Sequence, residues 1–175
     1  MMPIMKIIRT LTDICLLRAG PEDLPASPVL FRTLLALYFV VGLVVNQLQS
    51  KLHDSVLLTG IELLVMMMVV AILLHFRRLN TRYQQTISAM AGTGVLFGIV
   101  AWPLLSVIAG SEADFDVSPV VMTLLAMLMI WSLLVTAHIF RRALDIGPGQ
   151  AAVITIAYTI TMLIVAAMVM SGIAS

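Results

Sequence analysis

Residues 56–74, VLLTGIELLVMMMVVAILL, carry one charged side chain, Glu62, in nineteen positions. The hydrocarbon core of a bilayer is about 30 Å thick, and a helix rising about 1.5 Å per residue crosses it in about 20 apolar residues. The stretch is long enough, and a helix apolar all round has no face to turn to water. One such helix would suit the interior of a large soluble protein, but the remaining chain removes that option. Of 175 residues, 61% are hydrophobic and 11% charged, where soluble domains run at about half and about a quarter. So few charges cannot cover a globule that must also hide this much Leu, Val, Ile, Met and Ala. Lipid has to take the place of water, and the expected fold class is an all-α integral membrane protein.

Four further stretches meet the same length and polarity requirement, at about residues 29–48, 87–109, 120–139 and 151–173. Ser27-Pro28 and Ser118-Pro119 each place an N-cap hydroxyl before a proline at the first helical position, and Thr86 and Gly149-Gln150 are weaker starts. The expected organisation is a helix and Pro-rich elbow over residues 1–28, then a five-helix transmembrane domain over 29–175. Nine of the ten Lys and Arg residues fall on one side of this arrangement: Lys6, Arg9, Arg18, Arg32, Arg77, Arg78, Arg82, Arg141 and Arg142. The other side holds Lys51, with His53, Asp54 and the acidic run Glu112, Asp114, Asp116. Because basic loops stay in the cytoplasm, the N-terminus is expected inside and the C-terminus, Gly172 to Ser175, outside.

Residues Ile4 to Arg18 carry charge too often for a signal peptide. At 100° per residue, Ile4, Ile7, Ile8, Leu11, Ile14 and Cys15 share one helical face and Lys6, Arg9, Thr10 and Asp13 the other. An amphipathic helix lying on the cytoplasmic leaflet is expected, or equally one packed on a partner or on its own bundle. Gly20 suits the position just past the helix end, and Pro21, Pro25 and Pro28 make a stiff elbow. The elbow's Glu22 and Asp23 are expected to receive Arg18 or a partner's cation.

Glu62 is the one carboxylate inside a span and should face the bundle, since an intramembrane charge facing lipid costs about 2.5 kcal/mol or more. Hydrogen-bonded to Asn46 or Gln47, at similar depth near the outer end of the first span, it would join two helices. Charged, it would be a proton or cation site or a substrate anchor. His75 and His138 lie near the basic ends of their spans, where interfacial placement explains them better than haem or metal ligation. Ala91, Gly94, Gly98 and Ala101 form a stripe with small-xxx-small spacing, expected as a packing seam, and Pro103 beyond it should kink the third span near Ser106. Thr155, Tyr158 and Thr159 are expected to hydrogen-bond between helices. Met66, Met67 and Met68 point around their helix and make a poor copper site.

No phosphate-binding loop, HExxH, GxSxG or dinucleotide fingerprint is present, and the single cysteine, Cys15, excludes an internal disulfide. No catalytic residue, metal or cofactor is expected, and a net charge of +1 gives no reason to expect nucleic acid. Five spans with a cytoplasmic N-terminus preceded by Asp23-Leu24-Pro25 resemble the Yip family of small membrane proteins. The elbow from Arg18 to Pro28 is similar to that of uncharacterised proteobacterial inner-membrane proteins with a Yip-like domain. The resemblance implies a non-enzymatic membrane organiser or adaptor. With no catalytic motif and an amphipathic arm, the expected function is an inner-membrane scaffold, adaptor or accessory subunit, whose helix and elbow (Lys6, Arg9, Arg18, Glu22, Asp23) face the bilayer and a membrane-protein partner or a second copy. The competing expectation is a small transporter or channel component centred on Glu62.

Overall fold

The computed structural model describes residues 4–110 and 118–174, with side chains through residue 171. The acidic run Glu112, Asp114, Asp116 and the terminal Ser175 lie outside the described residues. The elements are α1 (Ile4–Cys15), a 3-10 turn at Pro21–Asp23, α2 (Pro28–Asn46), α3 (Leu52–Phe76), a 3-10 turn at Asn80–Arg82, α4 (Tyr83–Ala109), α5 (Pro119–Leu144) and α6 (Pro148–Ala174). Five of these helices, α2 to α6, are long and apolar enough to cross a membrane.

Local chemistry explains the starts. Ser27 caps α2 by accepting the Leu30 N–H at 3.4 Å, and Pro28 and Pro119 sit at the first helical positions of α2 and α5. Three starts fall earlier than the sequence pattern suggests, α6 among them at Pro148, which puts Gly149 and Gln150 inside that helix. The 3-10 turn Asn80–Arg82 runs straight into α4 at Tyr83, which makes Thr86 an interior residue whose hydroxyl donates back to the Arg82 carbonyl at 2.9 Å. In the same way α3 takes in His53 and Asp54 by starting at Leu52.

The ends are less orthodox. Leu17, Arg78 and Asp145 all have positive φ, at 61°, 57° and 54°. After α1, Arg18 N–H bonds the Asp13 carbonyl at 2.8 Å and Leu17 N–H the Ile14 carbonyl at 2.9 Å, the paired bonds of a left-handed helix terminator. Gly20 therefore does not end α1: it is extended at φ −119° and caps the following 3-10 turn, its N–H donating to Asp23 Oδ2 at 2.8 Å. Two backbone bonds outweigh the steric cost of a left-handed leucine, about 1–2 kcal/mol.

The spanning helices neighbour one another in a cycle: α2 on α4, α4 on α5, α5 on α6, α6 on α3, and α3 back on α2, with α2 against α4 the most extensive contact. The small residues of α4 account for that. A Cβ at Gly94 would stand 2.6 Å from the Tyr38 ring, and one at Gly98 2.6 Å from Val41 Cγ1, so the expected seam is there and α2 is what fills it. Gly42 plays the same part between α2 and α3, where a Cβ would meet Thr59 Cγ2 at 2.9 Å. Buried apolar side chains gather in the basic-end half, among them Leu34, Leu74, Ile87, Ile139, Phe140 and Leu144. Toward the other end Val100, Trp102, Leu124, Met127, Leu163 and Ile164 are exposed.

α1 packs on α4 and α5, burying Leu11, Ile14 and Cys15. A Cβ on Gly92 would meet Leu11 Cδ2 at 2.5 Å. Of the two arrangements expected for this helix, packing on its own bundle is the one found, for Leu11, Ile14 and Cys15, while Ile4 and Ile8 of the same face stay exposed. Thr155 and Thr159 also depart from expectation: their hydroxyls donate to the Ala151 and Thr155 carbonyls of their own helix, both at 2.9 Å, and bridge no helices. Replacing Gly94 by Leu should force Tyr38 out of the seam and lower stability by about 1–3 kcal/mol, whereas Leu at the exposed Ile99 should change little. Thermal unfolding of the two variants in detergent checks this.

Candidate functional site

Two polar constellations stand out, one in the apolar interior and one at the basic end. The interior one is built by α2 and α3. Glu62 lies ten residues into α3, about 15 Å from its start, deeper than a span beginning at Val56 would place it. Asn46, at the end of α2, donates to Thr59 Oγ1 at 3.0 Å and stands within reach of the Glu62 carboxyl. Gln47, by contrast, is exposed just past the helix end and takes no part. Tyr38 of α2 and Tyr158 of α6 are half-buried against the same core. Tyr38 is pressed against Gly94, and Tyr158 packs edge-on against Phe140 with ring centroids 5.6 Å apart. The Glu62 carboxyl and the Asn46 amide therefore face each other between α2 and α3, a pair that can share a hydrogen bond across the two helices.

The basic end is knitted by arginines that finish α5. The last carbonyls of a helix lack partners and carry partial negative charge. Arg82 Nη1 donates to the Arg142 and Ala143 carbonyls at 3.3 and 3.4 Å, and Arg77 donates from Nε to Leu144 at 3.2 Å and from Nη2 to Asp145 at 3.3 Å. Arg82 also pairs with the Asp145 carboxylate at 3.6 Å, and Arg142 pairs with Glu22. The elbow is fastened to the same end, for Gln85 Nε2 donates to the Leu24 carbonyl at 2.7 Å. Trp131 Nε1 donates to the Cys15 carbonyl and His138 Nε2 meets the Ala19 carbonyl, both at 2.9 Å. Glu22 thus receives Arg142 rather than Arg18, and Asp23 is occupied in capping its own turn. Lys6, Arg9 and Arg18 are exposed.

His75 lies apart from His138, in an apolar groove of about 740 Å³ with Ile72, Phe76 and Tyr83. Among the described residues no three of His, Cys, Asp and Glu come together as a metal site. Pro103 continues α4 without ending it, and Ser106 Oγ donates back to the Pro103 carbonyl at 2.8 Å. Of the Met run, Met66 is buried and Met68 exposed, as expected of side chains pointing round the helix.

The partners missed by sequence pattern are Tyr38, Arg82 and Arg142. Tyr38 sits in a uniformly apolar run, and a basic residue at a helix end looks the same whether it faces water or caps a neighbouring helix. Burial pushes the Cys15 thiol up to about 11, so its thiolate is scarce at neutral pH. Maleimide labelling of the folded protein at pH 7.5 should run at least tenfold slower than labelling of the denatured chain, the gap closing on detergent denaturation. The chain matches no protein-family model, no curated protein and no solved structure.

Proposed function

We propose that this protein is a small multi-pass scaffold or accessory subunit of the bacterial inner membrane, acting through the surfaces it presents and not through chemistry. The observation that carries the proposal is the pair of open apolar grooves on the two flanks of α4. One, of about 320 Å³, runs between α2 and α4 past Val44, Gly98 and Trp102; the other, about 470 Å³, runs between α4 and α5 past Val100, Pro103, Leu128 and Trp131. Grooves lined by apolar and small residues are where another membrane helix gains packing contacts that lipid tails do not match.

The N-terminal helix fits the same role. Around α1, Ile7, Leu11, Ile14 and Cys15 meet the bundle, Ile4, Met5 and Ile8 form an exposed apolar sector, and Lys6, Arg9 and Asp13 a polar one. A helix with one flank on protein, one apolar and one charged belongs at the edge of a bilayer, its cations toward headgroups. The positive charge bias supports a cytoplasmic position for that edge and a periplasmic C-terminus. Photo-crosslinking residues at Val100 and Leu124 should capture one discrete protein species in living cells, another membrane protein or a second copy, while Ile160 and Leu163 on α6 should not. Lipid adducts alone, or equal capture at all four positions, would contradict the proposal. A reporter after Ser175 should be active only in the periplasm.

Glu62 lying deep in α3 with Asn46 within reach favours a second reading, a proton or cation site within the bundle. In proteoliposomes, an ion flux lost in Glu62→Gln would bring it forward. Unchanged assembly together with absence of flux in the wild-type protein leaves the pair as a fastening between helices.

A further inference from the structure

At the basic end, Glu22, Arg82, Arg141, Arg142, Asp145 and Ile146 line a polar pocket of about 220 Å³. Three guanidiniums face two carboxylates across it. Arg82 is committed to Asp145 and to the α5 carbonyls, and Arg142 to Glu22. Arg141 is exposed and has no ion pair among the described residues. The pocket therefore holds a surplus cation beside two guanidinium forks fixed in place by backbone and carboxylate partners. The planar fork of Arg matches two oxygens of a phosphate, and charge-assisted bonds of this kind are about twice as strong as neutral ones. Basic pockets among transmembrane helices on the cytoplasmic side suit anionic headgroups.

We propose that this pocket is a phosphate-binding site, with Arg141 and Arg142 as the gripping residues. The phosphate comes either from an anionic phospholipid of the adjoining leaflet or from a free anion. Phosphate and Glu22 compete for the Arg142 fork, so binding works against the ion pair that holds the elbow to α5. The lipid source depends on the bundle lying in a bilayer, whereas the pocket's affinity for free phosphate does not.

The test uses the full chain in detergent. Phosphatidylglycerol, phosphatidylcholine and inorganic phosphate are titrated separately, and occupancy is read by native mass spectrometry for the lipids and by thermal shift for phosphate. Phosphatidylglycerol should bind in preference to phosphatidylcholine. Arg141→Gln, at an exposed position, should weaken binding about tenfold, the loss of one charge-assisted bond. Arg141→Lys should recover part of it, and Glu22→Gln should strengthen binding by removing the competing carboxylate. The same pattern of variants with inorganic phosphate and no preference between lipids assigns the site to a free anion. Occupancy unaffected by Arg141→Gln and Glu22→Gln, or absence of saturable binding by both phosphatidylglycerol and phosphate, would overturn the proposal.

Discussion

In hydrocarbon no water is present to satisfy a backbone N–H or C=O, and each one left bare costs several kcal/mol. Almost everything in this structure is a response to that constraint. Five helices close their own hydrogen bonds along their length, and most threonine hydroxyls within them are satisfied in the same way. Thr86, Thr93, Thr123, Thr136, Thr155, Thr159 and Thr161 each donate to a carbonyl of their own helix. What remains is the set of helix ends, where the ladder runs out. There the chain uses Ser27 at one start, left-handed residues at three ends, and the guanidiniums of Arg77 and Arg82 on the carbonyls that finish α5.

A second consequence is that burial from water no longer drives helix against helix, because lipid tails are as apolar as the side chains they would replace. Close packing and polar fastenings have to do this instead, and they are unevenly spread. Gly94, Gly98 and Gly42 bring α2 against α4 and α3. The arginine contacts, the Glu22–Arg142 pair, and the Trp131 and His138 bonds to the α1–elbow segment all fall toward the basic end. That half is well buried, while the opposite half leaves grooves beside α4. Polar fastening is thus concentrated where the charges lie, while open apolar grooves occur at both ends, beside α4 and at His75.

The number and rough extent of the spanning helices were legible because length and uniform apolarity are properties of a single stretch. The Ser27-Pro28 start and the Gly94 seam were legible for the same local reason, whereas at the α5 start Pro119 takes the first helical position but the Ser118 hydroxyl caps nothing. What escaped was set by tertiary partners. Leu17, not Gly20, turns left-handed because Asp13 and Ile14 present carbonyls there. Thr86 lies inside α4 because a 3-10 turn leads into it. The amphipathic period of α1 identified its apolar face but could not say whether lipid or α4 and α5 would cover it. Glu62 was conspicuous as the one carboxylate in a span, and Asn46 could be placed beside it by depth. Tyr38 could not be placed against Gly94, since only the packing of α2 on α4 brings the two together.

The central claim is that lipid is the solvent of this chain, and alkaline carbonate extraction of the membranes that contain it tests the claim most directly. Five spanning helices should keep the full-length protein in the membrane pellet at high pH and release it only with detergent. Recovery of the intact chain in the carbonate supernatant, dispersed without detergent, would contradict it.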